Sequence, residues 1–221
     1  PKNFFHEIIC SDDGSTDQTI KILQKNQIPA YQNNHKGYGG NLYSGMKIAF
    51  EKYNADYVYE LHGDGQYDFK SVFFAEEKFK LDKSDLVLGN RFFKYKEAWK
   101  AGMPFPIFIG NIFFSFIASF LIQLKFRDLF PGFRAYSKFF FNTIENKIFT
   151  LDYRFSFQII ALAKYKNLKI DNVPAFCNYK QPKTTVPYSH TLSAFLNILM
   201  TGIFYRLAKV NLKYKYFSDD S

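Results

Sequence analysis

The stretch "HEIICSDDGSTDQTIKILQKN", residues 6–26, contains the pattern that decides the fold. An apolar run typical of a buried strand ends in a turn of acidic and small residues, and a helical pattern follows. Thr16 and Asp17 are both suitable N-caps for that helix, because their side-chain oxygens can accept hydrogen bonds from its first N–H groups. The same order of strand, turn and helix recurs further along the chain.

Helical patterns alternate with three more strand-like runs, which read "IPAYQN", "DYVYEL" and "DLVLGNRF". The segment "NHKGYGGN" predicts a glycine-rich loop, and the helix after it has an apolar face made of Leu42, Met46, Ala49 and Phe50. This alternation predicts an α/β domain with a mostly parallel, doubly wound sheet. Because ligands bind beyond the carboxyl ends of such strands, the turns "DDGS", "HGDGQ" and "GNR" should converge on one edge.

The composition limits the possible partners. A chain of 221 residues suits one α/β domain, and its net charge of +9 suits phosphate-rich partners such as nucleotides or an anionic membrane surface. Nucleic acid is not expected as a partner, since no recognition motif is present and the lysines are scattered. Two cysteines without a CxxC pair indicate neither a disulfide framework nor a zinc site and favour a reduced, cytosolic setting.

Two apolar helices are predicted in the second half of the chain. Residues 105–124 are uncharged, but Asn111, Ser115, Ser119 and Gln123 would form a polar stripe along one helical face. This pattern favours a helix packed in the fold or lying in a membrane interface over a spanning one, and a buried core helix is the simpler alternative. A tail helix at about residues 189–209 could lie on a bilayer or dock on the sheet.

The acidic and glycine-rich turns each have two interpretations. Asp12 and Asp13 could cap a helix, or a carboxylate there could accept hydrogen bonds from a base or ribose. The EF-hand pattern does not fit them. The glycines of "KGYGGN" match neither a P-loop nor GxGxxG, so they indicate only a close approach of backbone.

The turn "HGDGQYD" is the most informative motif. Asp64 is a hard oxygen ligand, and His62, two residues earlier, could face the same ion. Mg²⁺ or Mn²⁺ in a nucleotide enzyme takes one or two carboxylates and completes its shell with phosphate oxygens and water. Taken alone, the motif favours a plain glycine-rich surface turn over a metal site.

As a set, five motifs resemble the family 2 glycosyltransferases, which are inverting enzymes with a Rossmann-like GT-A fold. These motifs are "EIICSDDGSTDQT", "HKGYGGNLYSGM", "LHGDGQYDF", "DLVLGNRF" and "DLFPGFRAYS". The resemblance is strongest to the branch of dolichyl-phosphate mannosyltransferase and its bacterial polyprenyl-phosphate relatives. It implies a GT-A domain at 1–178, with a mostly parallel mixed sheet and helices on both faces. It also implies an acceptor loop and a membrane-proximal amphipathic helix at 179–221, in a cytoplasmic protein peripheral to the inner face of the membrane.

The resemblance also implies roles for individual residues. Asp64 matches the second carboxylate of the family's metal motif, while His62 stands where the first is usual, so the choice between Mg²⁺ and Mn²⁺ stays open. A nucleotide- and donor-binding role is implied for Asp12, Asp13, Gly37, Gln66 and Arg134. Arg91 matches a basic residue near the sugar diphosphate, and Asp128 and the "GFR" of Gly132 to Arg134 match the acceptor-side segment. The family's first strand has no counterpart, so we expect an N-terminal strand to be missing.

The expected reaction moves a sugar from a nucleotide sugar to a lipid phosphate or a glycan. A hydroxyl acceptor would need a base, for which Asp128 is the candidate, whereas a lipid phosphate with a second pKa of about 6 would not. Lys180, Lys183 and His190 flank a loop that could close over a phosphate or simply be an exposed basic loop. The alternatives are a nucleotidyltransferase-like enzyme of sugar nucleotides and a non-catalytic membrane-surface relative.

Overall fold

The computed structural model describes residues 4–145, 147, 149–179, 188–212 and 217, and the side chains of 188–191 are not described. The loop predicted to close over a phosphate, at 180–187, and the side chain of His190 therefore lie outside the described residues. In the part described, eight α-helices accompany six strands. The helices are α1 Thr19–Lys25, α2 Gly37–Lys47, α3 Lys70–Glu77, α4 Tyr95–Lys100, α5 Phe105–Ile122, α6 Lys138–Ile144, α7 Phe155–Tyr165 and α8 Tyr188–Lys209.

The strands form two separate sheets. Strands β1 (Cys10–Asp12) and β2 (Ala30–Gln32) pair in parallel. The larger sheet has the order β3-β5-β4-β6 and consists of β3 Tyr57–Glu60, β4 Leu86–Asn90, β5 Arg134–Ser137 and β6 Ile170–Pro174. Strand β5 runs antiparallel to both neighbours, while β4 and β6 are parallel. The predicted α/β class with a mixed sheet is confirmed, and β5, inside "GFRAYS", is a strand that the sequence pattern did not predict.

The larger sheet has helices on both faces. Successive side chains of β4 point in opposite directions, so they pack against helices on opposite faces. Leu86 and Leu88 join the main core cluster, which contains residues of α2 and α5–α8. Val87 joins a second cluster with Val72 and Phe79, which are contributed by α3 and its C-terminal extension. The predicted apolar face of α2 is confirmed, since Met46, Ala49 and Phe50 are buried and Leu42 packs against the same core.

Two local predictions were wrong. Helix α1 begins after Gln18, which is its N-cap, although the Asp17 carboxylate still accepts a hydrogen bond from the Thr19 N–H at 2.9 Å. The segment "NHKGYGGN" is not a loop throughout, because α2 begins at Gly37. A Cβ added at Gly39 would lie 2.4 Å from the Cβ of Phe155, so this glycine lets the first turn of α2 pack directly on α7.

Helices α5 and α8 pack against one another on the outer side of the main core. A Cβ added at Gly202 would lie 2.6 Å from the Cβ of Leu121, which shows how closely the two helices approach. The alternative of a buried core helix is wrong for α5, since only 17% of that stretch is buried. Helix α8 does dock internally through Asn197, Ile198 and Tyr205, yet its opposite side is exposed.

Candidate active site

A cavity of about 360 Å³ lies between the two sheets. Its walls are contributed by β1, α2, β3 and the start of the "HGDGQ" turn. The polar side chains that line it are Ser11, Tyr38, Asn41, Glu60 and His62. The "HGDGQ" turn lines this cavity through His62 and Gly63, but no residue of "DDGS" or "GNR" is among the described residues that line it.

The two aspartates of the acidic turn hold backbone in place around this cavity. Asp12 accepts hydrogen bonds from the Ser15 hydroxyl and from the N–H groups of Ser15 and Gly14, at 3.0 and 3.2 Å for the latter two. The Ser15 hydroxyl, followed by these backbone groups, outweighs the effect of burial and lowers the pKa of Asp12. Asp13 accepts hydrogen bonds from the N–H groups of Lys36 and Gly37 at 2.7 and 2.9 Å, so it fixes the start of α2.

Gly37 is required by the backbone at this position. Its φ is +77°, and a Cβ there would lie 2.9 Å from the carbonyl oxygen of Leu151. A side chain would therefore meet both backbone strain and a steric conflict. Gly37 thus determines where α2 begins, and its N–H is already engaged by Asp13.

A buried carboxylate, Glu60, lies at the end of β3 beneath the cavity. It accepts hydrogen bonds from the hydroxyls of Tyr38 and Tyr136, each at 2.6 Å, and Arg134 Nη1 lies 3.5 Å from its Oε2. Burial on its own would raise the pKa of Glu60, but the charge of Arg134 and the contacts with His62 and Tyr136 lower it to about 2. Glu60 therefore stays ionised and ties α2 to the larger sheet. Sequence reasoning missed it, although a Glu that ends an otherwise apolar and aromatic strand was a usable signal.

Arg134 lies deeper than its predicted donor-binding role suggests. Only 2% of its surface is exposed, and its Nη1 donates to the Tyr38 hydroxyl at 2.8 Å beside Glu60. Its Nε has no hydrogen-bond partner among the described residues. In this geometry Arg134 acts on the cavity through Tyr38 and Glu60 and does not itself line it.

His62 is held between aromatic rings at the mouth of the cavity. Its ring centroid lies 5.7 Å from that of Tyr38 and 6.0 Å from that of Tyr67. Its Nε2 is 3.3 Å from Glu60 Oε1, but the two groups are not aligned for a hydrogen bond, and Nε2 has no hydrogen-bond partner among the described residues. Gly132 lies against the ring, because a Cβ there would be 2.8 Å from His62 Cε1.

Asp64, by contrast, is exposed at the tip of the same turn. Its Oδ1 accepts a hydrogen bond from the Gln66 N–H at 3.0 Å, and the Gln66 carbonyl accepts one from Asn178 at 2.8 Å. Within the described residues, no group of three His, Cys, Asp or Glu side chains could hold a metal ion. The residues present fit a divalent cation that takes Asp64 as its carboxylate ligand and obtains most of its other ligands from phosphate and water.

Arg91 and Asp128 form a buried, bidentate ion pair. Arg91 Nε lies 2.7 Å from Oδ2 and Nη2 lies 2.9 Å from Oδ1, while the backbone N–H of Arg91 also donates to Oδ2 at 3.0 Å. Burial alone would lower the pKa of Arg91, but the Asp128 charge outweighs it and raises that pKa. Arg91 Nη2 also donates to Asn111 on α5 at 3.1 Å. Asp128 is thus fully engaged in positioning Arg91.

Comparisons with known proteins agree with this arrangement. A family model described as glycosyl transferase family 2 matches residues 3–145. A UDP-N-acetylglucosamine–dolichyl-phosphate N-acetylglucosaminyltransferase of Methanococcus voltae is 26% identical over 227 residues, which cover 94% of this chain and 86% of that protein. An uncharacterized protein of Methanocaldococcus jannaschii is 29% identical over 174 residues, or 78% of this chain and 70% of that protein.

Solved structures show the same fold. Glucosyl-3-phosphoglycerate synthase of Mycobacterium tuberculosis superimposes with a TM-score of 0.61 at 13% identity, over 95% of this chain and 70% of that one. The complex of that enzyme with Mn²⁺, UDP and glucosyl-3-phosphoglycerate gives a TM-score of 0.60 with the same identity and coverage. At this identity the likeness confirms the GT-A fold and carries no residue roles.

Proposed function

Since the chain belongs to glycosyl transferase family 2, we propose that it moves a sugar, with inversion, from a nucleoside diphosphate sugar to the phosphate of a polyprenyl or dolichyl lipid. The observation that carries the proposal is the exposed Asp64, which directly follows the cavity-lining residues His62 and Gly63. The Methanococcus voltae relative, named for a UDP-sugar donor and a dolichyl-phosphate acceptor, supports this choice of substrates.

The donor side of the reaction is assigned to the cavity. Ser11, Tyr38 and Asn41 form its polar wall and are held by hydrogen bonds within the protein. Asp12, Asp13 and Gly37 fix the two backbone segments that frame it. Gln66 shapes the turn that presents Asp64. Mg²⁺ or Mn²⁺, when bound at Asp64, would offset the charge that develops on the departing diphosphate. Solved relatives that bind Mn²⁺ and UDP together are consistent with this assignment.

His62 and Arg134 support the same site from below. His62 stands two residues before Asp64 in the turn and would contribute to a cation site there. Arg134 neutralises Glu60, so that the buried carboxylate does not repel the phosphates of the donor. This role of Arg134 depends on charges that the fold already holds in place.

The sequence resemblance placed Arg91 near the sugar diphosphate. Because Arg91 donates a hydrogen bond to Asn111 of α5, we assign it to the acceptor side instead. A lipid phosphate with a second pKa of about 6 is already ionised at neutral pH, so it can attack the anomeric carbon without a strong base. Asp128 is buried and engaged, which suits a residue that orients Arg91 better than one that removes a proton. Arg91 in turn can make charge-assisted hydrogen bonds to phosphate oxygens.

The proposal extends to the organisation of the chain. Residues 1–178 would form the catalytic unit, and 179–221 the acceptor loop and membrane-proximal helix, of which α8 packs against α5. The enzyme would be cytoplasmic and peripheral to the inner face of the membrane, with no nucleic acid partner. A lipid-linked acceptor requires access to the bilayer surface, because its phosphate lies there.

Product detection tests the proposal. We expect the chain to glycosylate polyprenyl phosphate from one of UDP-N-acetylglucosamine, UDP-glucose or GDP-mannose, and to stop when EDTA removes divalent cations. Asp64→Asn should reduce the rate of sugar transfer at least about 100-fold, since it removes the charge that would hold the cation. Asp68→Asn changes an exposed carboxylate in the same turn and should transfer normally. Equal activity of the two variants would remove Asp64 from the reaction.

A further inference from the structure

Helix α5 has its polar and apolar sides arranged in the opposite way to a helix of a water-soluble protein. Residues 105–122 contain no charge, and large side chains spaced by three or four along one side are exposed. These exposed side chains are Phe105, Ile109, Phe113, Phe116 and Phe120. Phe116 and Phe120 have 71% and 70% of their surface exposed. Contact of such an apolar stripe with water is unfavourable, and exposed apolar patches of this kind mark interaction surfaces.

The polar stripe that the sequence predicted faces the protein. Asn111 accepts a hydrogen bond from Arg91, Ser115 Oγ accepts one from the Leu129 N–H at 3.1 Å, and the Ser119 hydroxyl donates to the Phe126 carbonyl at 2.8 Å. Gln123 departs from this pattern, because it ends the helix and is exposed. The helix is thus fastened to the domain over three turns, which suits a helix lying along a membrane and opposes one that crosses it.

Helix α8 contributes a second apolar stripe to the same face. Its exposed large side chains again follow a spacing of three or four: Leu192, Leu196, Met200, Ile203, Leu207 and Val210. Helices α5 and α8 are held together by Gly202 against Leu121, by Phe195 against Phe113, and by Arg206, which donates to the carbonyls of Phe120 and Leu121 at 2.6 Å. We call the exposed stripes of α5 and α8 the two-helix face.

Basic and aromatic side chains border the two-helix face at its ends. Trp99 on α4 is exposed and contacts the rings of Phe105 and Phe108 at the start of α5. Exposed lysines flank it on the same short helix. At the other end, Arg206 caps the last carbonyls of α5, and Lys209 lies over the rings of Tyr165 and Tyr205. Tryptophan and basic residues at the edge of an apolar surface match the headgroup region of an anionic bilayer.

We propose that the two-helix face docks in the plane of an anionic lipid bilayer and that α5 holds Arg91 at the membrane surface through Asn111. The inference deepens the proposed function and rests on it for the lipid as partner. Apolar side chains would enter the acyl boundary, while the exposed lysines beside Trp99 would meet lipid phosphates. The phosphate of a lipid acceptor would then reach Arg91 without leaving the headgroup layer.

Vesicle flotation tests the docking. The 221-residue chain should bind vesicles that contain phosphatidylglycerol and bind pure phosphatidylcholine more weakly. Phe116→Ser with Phe120→Ser should reduce partition about 100-fold, since each buried Phe contributes about tenfold or more. Leu81→Ser with Phe139→Ser removes two equally exposed apolar side chains from other elements and should partition like the wild type. Equal loss in the two double variants would overturn the proposal.

Trp99 provides a second, spectroscopic measurement, because it is the single tryptophan of the chain. Its fluorescence should shift to the blue on vesicles and be quenched by brominated lipids, and the Phe116→Ser, Phe120→Ser variant should lose both effects. Sedimentation velocity without lipid tests the alternative occupant. Suppose that the wild type forms a dimer, that the double variant is monomeric, and that the wild type does not bind vesicles. These results would assign the face to a second copy of the chain and refute membrane docking.

A soluble, short-chain isoprenyl phosphate separates this inference from the proposed function. The Phe116→Ser, Phe120→Ser variant should still glycosylate that acceptor, because neither residue belongs to the site. Vesicle binding without any transfer would contradict the proposed function alone. Transfer without vesicle binding would contradict the docking alone.

Discussion

Replacement of Glu60 by Gln is the sharpest test of how the site is held together. The variant keeps the shape of the side chain but removes the charge opposite Arg134, which is itself buried. The pKa of Glu60 falls from an ordinary value of 4.5 to about 2 in the folded protein. At 1.36 kcal/mol for each pKa unit, this difference corresponds to about 3 kcal/mol of folding free energy at neutral pH.

The sign of the pH dependence follows from the direction of the shift. Because the pKa of Glu60 is lowered by folding, its contribution is present above pH 4.5 and is lost as the pH falls toward 2. Urea unfolding of the wild type and Glu60→Gln should therefore differ by about 3 kcal/mol at pH 7 and by much less at pH 3. Glu51→Gln is the matched control, since Glu51 pairs with Lys47 at the surface and should contribute under about 0.5 kcal/mol.

Two outcomes would refute this reasoning. If Glu60→Gln and Glu51→Gln lose the same stability at pH 7, the buried cluster does not stabilise the fold as argued. If the gap between wild type and Glu60→Gln stays constant from pH 7 to pH 3, Glu60 does not titrate in the way that its surroundings require.

Two further predictions concern packing and the Arg91–Asp128 pair. Gly39→Ala should destabilise the protein by about 1–3 kcal/mol in urea unfolding, because its Cβ would collide with Phe155. Gly110 is in α5, and a Cβ added there would have no atom within 4 Å, so Gly110→Ala should be neutral or stabilise by up to about 1 kcal/mol. A larger loss of stability for Gly110→Ala than for Gly39→Ala would contradict the packing described. Asp128→Asn should cost about 3–5 kcal/mol and slow transfer, because it leaves the Arg91 charge buried without its partner. Unchanged stability of Asp128→Asn would show that the pair is not needed.

The sequence predicted the features that depend on local pattern. Alternating strands and helices are visible in runs such as "DYVYEL", and the turns follow strands because acidic and glycine residues interrupt apolar runs. The apolar face of α2 was correct for the same reason. Strand β5 was missed because "RAYS" is short and is buried on both sides, so it shows no alternation of apolar and polar residues.

Partnerships between distant residues were beyond sequence reasoning. Sequence reasoning assigned Arg134 to donor binding. In the structure, the register of β5 against β3 places Arg134 opposite Glu60, so Glu60 becomes its partner. The pairing of Arg91 with Asp128, 37 residues apart, was likewise invisible, although both residues had been named separately. The polar stripe of α5 was seen correctly, yet only the packing shows that it faces the domain and leaves the phenylalanines outside.

The division between the two sheets has a consequence for donor recognition. Strand β1 pairs with β2, and β3 pairs with β5, so among the described strands no ladder of backbone hydrogen bonds spans the cavity. Its width is therefore set by side chains such as Tyr38, which reaches from α2 to Glu60. Relatives could accommodate sugars or bases of different bulk by exchanging such a spacer, while the register of each sheet stays the same.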